Sequence, residues 1–129
     1  MARQVDLTED LQKRYPDAFN GQHNSMFTFN CGEGWLDVVG TLCSLLAEVN
    51  QREGKAPTYL LSVKEKFGTL RVMVSGREPE ARQLITFAEH HSARVCEICG
   101  ARARLLYSDG WQRTRCDAHS LTVRTNEDD

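Results

Sequence analysis

The sequence predicts an α+β fold, with helices packed on a small antiparallel β-hairpin sheet and a separate C-terminal module. Three observations lead there. Apolar residues recur at helical spacing from Trp35 to Val49, then alternate with period two on either side of Gly68. After about residue 94 they thin out, and Cys, Arg and Gly take over. With 129 residues, 40% hydrophobic and 26% charged, the chain has the size and composition of one globular domain able to bury a sizeable core.

Taken in order, Asp6 and Glu9 have the spacing of a helix N-cap with its reciprocal carboxylate. Leu7, Leu11 and Tyr15 then share one face until Pro16 ends the pattern, which gives a short first helix. Residues 20–25 are a polar connector, and Met26 to Phe29 reads as a brief strand ahead of the turn Cys31-Gly32-Glu33-Gly34, where the chain reverses. Trp35, Val38, Val39, Leu42, Leu45, Leu46 and Val49 then mark the main core helix.

A loop over residues 51–57 leads to a run in which Tyr59, Leu61 and Val63 alternate with Leu60, Ser62 and Lys64. Leu70, Val72 and Val74 repeat the alternation beyond Lys66-Phe67-Gly68, so the two runs form a hairpin turning at or near Gly68. Pro79 suits the first turn of a last helix that carries Leu84, Phe87, Ala88 and His91 on one face and ends near Ser92. The expected core is one cluster of Trp35, Leu42, Leu46, Leu61, Val63, Leu70, Val72 and Phe87, formed where the main helix and the 79–92 helix cover a face of the hairpin. Residues 1–93 make this core, 94–124 the C-terminal module, and 125–129 a frayed acidic tail.

The module carries the chemistry. Cys96-Glu97-Ile98-Cys99 and Cys116-Asp117-Ala118-His119 give the pattern C-x2-C-x16-C-x2-H. A two-residue gap lets one tight turn aim both side chains at a single point, and Asp109-Gly110 supplies a hairpin turn that returns the second pair to the first. Three thiols and an imidazole suit one tetrahedral zinc ion with no open position, hence a structural ion held by Cys96, Cys99, Cys116 and His119. Cys116 and His119 fall on one face if a helix starts there, and that order of elements is treble-clef-like.

Arg102 and Arg104, and likewise Arg113 and Arg115, are spaced to share a strand face near Trp111. These five residues are the candidate partner surface, suited to phosphate and a stacked base or to an acidic protein face; a solvated strand edge is the plain alternative. Cys43 reads as a small buried hydrophobe and Cys31 as a turn residue. Adjacent His90 and His91 point apart on their helix and are better explained by its negative pole. No nucleophile elbow, phosphate loop or two-histidine metalloprotease motif occurs, so no enzymatic activity is expected.

Charge sets further bounds: 16 Lys and Arg against 18 Asp and Glu give a net charge of −2, without the broad positive field of a non-specific nucleic-acid binder. No apolar run is long enough for a bilayer and the opening residues lack a signal-peptide core, so a cytoplasmic protein that meets no membrane is expected.

The motifs Cys31-Gly32-Glu33-Gly34-Trp35, Val63-Lys64-Glu65-Lys66-Phe67-Gly68-Thr69-Leu70-Arg71, Ala88-Glu89 with Ser92, Cys96-Glu97-Ile98-Cys99-Gly100, Gly110-Trp111 and Cys116-Asp117-Ala118-His119 together resemble a family of small zinc-finger-like accessory proteins encoded by bacteriophages and prophages. The match runs from Cys31 to His119 and leaves the first thirty residues outside. It implies a phage accessory gene product, at work in the cytoplasm of a bacterial host and acting by binding host machinery or host defence. The leading expectation is therefore a non-enzymatic, zinc-stabilised protein that docks on a host or phage protein, including as an inhibitor of host defence. A nucleic-acid-binding zinc-finger module is the alternative, and a degenerate zinc-finger nuclease the third reading.

Overall fold

The computed structural model describes residues 2–20 and 27–120, with side chains from residue 7 onward. The connector 21–25, Met26, residues 121–124 of the C-terminal module and the acidic end lie outside the described residues. The fold is α+β, as expected. Helix α1 (Ala2–Arg14) is followed by strand β1 (Thr28–Asn30), helix α2 (Leu36–Gln51), strands β2 (Tyr59–Lys66) and β3 (Thr69–Ser75), helix α3 (Pro79–His91), and strands β4 (Arg104–Ser108) and β5 (Trp111–Arg115). Among the described residues no helix is long and apolar enough to cross a membrane.

The main sheet departs from a plain hairpin. Its order is β1-β2-β3, with β1 parallel to β2 and α2 as the crossover between them. The hairpin β2–β3 turns at Phe67 and Gly68, both at positive φ (56° and 85°), which is the backbone a two-residue loop needs to match strand twist. A short 3-10 turn, Glu33–Trp35, leads into α2, so Trp35 precedes the α-helix and lies fully buried beneath it.

Four expectations are corrected. Asp6 is not an N-cap, because α1 already begins at Ala2. Leu61 is not a core residue: a register shift between Leu60 and Ser62 makes it the extra residue of a bulge, and Leu60 and Val63 are buried in its place. Phe87 is 68% exposed, because α3 turns Ala81, Ile85 and Ala88 inward, and Phe87 stands about 100° around the helix from Ala88. The sheet, finally, gains the parallel edge strand. Trp35, Leu42, Leu46, Val63 and Leu70 do lie in one core, joined by Phe19, Phe27, Phe29, Val39, Cys43 and Leu60, with Val72 and Leu84 packed against it.

Two polar devices position the elements. The side chain of Asn50, at the end of α2, donates to the carbonyls of Asp17 and Thr58 and accepts from the Thr58 N–H, each at 2.8 Å, which brackets α2 to the start of β2. On the outer edge of β3, the N–H groups of Leu70 and Val72 find no strand but donate to Ser92 Oγ and Glu89 Oε2, both at 2.9 Å. The Ala88-Glu89 and Ser92 motif thus closes an edge that would otherwise invite another strand.

Candidate metal centre

Residues 95–103 form a tight knuckle. The Cys96 N–H donates to the Ala101 carbonyl and the Gly100 N–H to the Cys96 carbonyl, both at 2.8 Å. Strands β4 and β5 then pair with Ser108 opposite Trp111, turning at Asp109 and Gly110, which have φ of 48° and 83°. The returning strand delivers Cys116, and a helical turn over residues 117–120 brings His119 to the same side.

The four ligand atoms of Cys96, Cys99, Cys116 and His119 lie within 4.8 Å of one another. Cys99 Sγ is 3.7 Å from Cys116 Sγ, and His119 Nδ1 is 3.6 Å from Cys96 Sγ and 3.2 Å from Cys116 Sγ. A tetrahedral zinc with bonds of about 2.3 Å to sulfur and about 2.0 Å to nitrogen sets its ligand atoms about 3.5–3.8 Å apart. These three edges lie within a few tenths of an ångström of that range, so the group is compatible with one metal ion such as zinc. Burial opposes the Cys96 thiolate, yet the backbone N–H groups of Cys116, Cys99 and Ile98 directed at its sulfur outweigh that and bring the thiol down to about 6.

The knuckle is docked on the core through two motifs that the sequence displays without explaining. The Gly34 N–H donates to the Glu97 carbonyl at 2.8 Å, the Gly32 N–H to Glu97 Oε2 at 2.9 Å, and Trp35 Nε1 to the Val95 carbonyl at 2.7 Å. A Cβ at Gly32 would stand 2.2 Å from the Glu97 carbonyl oxygen, and one at Gly34 2.0 Å from that of Cys96. Only glycine permits that approach. On the other side Thr114 Oγ1 donates to the Gly68 carbonyl at 2.7 Å, and a Cβ at Gly68 would meet Leu105 Cδ1 at 2.6 Å. The β2–β3 turn is therefore seated against the β4–β5 hairpin.

A charged cluster lies in this joint. Arg113 Nη1 stands 3.6 Å from Glu65 Oε2. Burial raises the Glu97 carboxyl above its usual range, with the Gly32 N–H and the Arg115 and Arg113 charges working against it. Cys31 is half-buried, and desolvation together with the Glu97 and Glu65 charges pushes its thiol up to about 12. Burial alone raises Cys43 to about 12. Both thiols are protonated at neutral pH and hence poor nucleophiles.

The candidate partner residues divide. Arg102 and Arg104 are exposed, and Trp111 is 52% exposed with the Arg113 guanidinium 4.5 Å above its ring. Arg115 is enclosed, with Nε and Nη1 buried and unpartnered among the described residues. Spacing gave Arg113 and Arg115 a common strand face, but not that Arg115 is buried, with its charge felt by the Glu97 carboxylate. Sequence reasoning missed Glu65, Val95 and Glu97 as joint residues, because Gly32 and Gly34 read as turn glycines.

No family profile matches this chain, and no curated protein or solved structure shows significant similarity to it.

Proposed function

We propose that Cys96, Cys99, Cys116 and His119 hold one structural zinc ion in a treble-clef-like module, and that the protein works by binding rather than by catalysis. Three thiolates and an imidazole saturate a tetrahedral ion, leaving no position for water or substrate. The proposed partner is a host or phage protein, a host defence complex among the candidates. The phage setting rests on the motif resemblance alone.

The observation that carries the binding reading is the β4–β5 tip. Trp111 at 52% and Tyr107 at 71% exposure project there on opposite faces, one of them under an arginine. Aromatic residues and Arg are favoured interface anchors. Exposed Arg102 and Arg104 extend this surface toward the knuckle. The same Arg and aromatic combination supports nucleic-acid binding as a second reading, against which the net charge of −2 weighs.

The test is affinity capture from phage-infected bacteria, followed by measured binding of the captured protein to the wild type, to Trp111→Ala and to Arg102→Glu/Arg104→Glu. Loss of binding in these variants, with no duplex DNA shift at about 150 mM salt, supports the protein-binding reading. A salt-dependent DNA or RNA shift abolished by the arginine reversals would assign the surface to nucleic acid instead.

A further inference from the structure

A groove between α2 and α3 lies away from the arginine hairpin and meets the knuckle at Val95 and Gly100. It encloses about 350 Å³, within the range of about 300–1,000 Å³ found for small-ligand sites. Val38, Leu42 and Leu45 from α2 face Ala88 and Phe87 from α3, and the backbone of Gly34 and Gly100 closes one end. Phe87 is 68% exposed and stacks on His91, with ring centroids 5.6 Å apart and planes 11° from parallel, and both rings line the groove.

The polar groups in the lining are few. Asp37 contributes a carboxylate, Thr41 a hydroxyl and His91 an imidazole; no Lys or Arg is among the lining residues. An apolar cleft whose fixed charge is one carboxylate, beside an aromatic face whose π-cloud also favours cations, complements a positively charged apolar molecule.

We propose that this groove binds a small organic amine: a protonated nitrogen paired with Asp37 and an aromatic or branched apolar body laid along Phe87, Val38 and Leu45. The proposal does not depend on the reading of the arginine hairpin, since none of those arginines lines the groove.

The test is an NMR titration of the metal-loaded protein with three near-isosteric probes: phenethylammonium, 2-phenylethanol and 3-phenylpropionate. Phenethylammonium should move the amide signals of Val38, Thr41, Phe87 and Ala88 and saturate in the millimolar range expected of so small a ligand. The alcohol should bind more weakly, and the anion should not bind. Asp37→Asn should weaken the amine about tenfold and leave the alcohol unchanged, which separates lost charge pairing from lost structure. Thr41→Lys, which sets a cation at an exposed position in the lining, should exclude the amine while the spectrum stays dispersed. Equal binding of amine and anion, or no saturable shift with any probe, would overturn the proposal. So would an N-acetylated Phe-Arg dipeptide amide that binds more than tenfold tighter than phenethylammonium, since it would give the groove to a protein partner.

Discussion

Gly34 and Glu97, from opposite halves of the chain, meet backbone to backbone. The Gly34 N–H donates to the Glu97 carbonyl at 2.8 Å, and a methyl group on Gly34 would stand 2.7 Å from that same oxygen. This contact fixes the knuckle that carries Cys96 and Cys99 against the start of α2.

Gly34→Ala should therefore destabilise the protein by about 3 kcal/mol, the upper end for overpacking, because the obstructing atoms are backbone and cannot rotate away. Urea unfolding measures the cost. Metal retention, followed by a colorimetric chelator, should fall in parallel, since the displaced carbonyl belongs to Cys96, whose thiol is in the cluster.

Purified protein should contain about one zinc per chain by elemental analysis, and Cys99→Ser should lose it. Removing the ion with a chelator should lower the unfolding temperature and raise amide hydrogen exchange first around residues 95–103, where the knuckle depends on its ligands. Metal-free protein with unchanged stability would reject a structural ion.

Ser92→Ala should cost about 1–3 kcal/mol, because it leaves the buried Leu70 N–H without an acceptor. Phe87→Ala, on the same helix but largely exposed, should change stability by less than about 0.5 kcal/mol. Chemical denaturation of the two variants side by side tests the helix phase.

Alkylation tests the thiols. For Cys31, a rise from 9.0 to about 12 cuts the thiolate fraction near neutral pH about a thousandfold. A raised thiol value means that the charged form appears only as pH climbs toward 12. The rate of iodoacetamide labelling at Cys31, read by mass spectrometry, should thus rise about tenfold per pH unit from pH 7 to 10 without a plateau. A plateau near pH 9 would show an ordinary thiol.

The Cys/His cluster and both two-residue turns were legible because each is encoded locally: C-x2-C, C-x2-H, Phe67-Gly68 and Asp109-Gly110 announce their geometry within four residues. Leu61 was misread because strand alternation assumes an unbroken ladder, and one bulged residue reverses it. Phe87 was misread because a short amphipathic helix offers two neighbouring apolar stripes, and the choice between them was made by Glu89 and Ser92 reaching the edge of β3. The burial of Arg115 and the parallel pairing of β1 depend on contacts between distant segments, of which no local pattern carries a trace. Glycines that serve close approach look like turn glycines until the partner backbone is known.

The Gly32 and Trp35 bonds to the knuckle span 65 and 60 residues, whereas the ligand contacts between Cys96 and His119 span 23 and those between Cys99 and Cys116 span 17. Closing a longer loop costs more entropy, though only logarithmically, and contacts of large separation slow folding far more than they weaken the final state. The ligand cluster can thus assemble within its own segment before the Cys31–Trp35 turn arrives. On a ribosome the order is forced further: the turn and α2 emerge first and wait, with Gly32 and Gly34 unfilled, until the last quarter of the chain supplies the backbone that fits them. The joint is thus a late event in the life of each molecule, and the nascent chain passes through an interval in which Trp35 lacks the Val95 carbonyl that later receives its indole N–H.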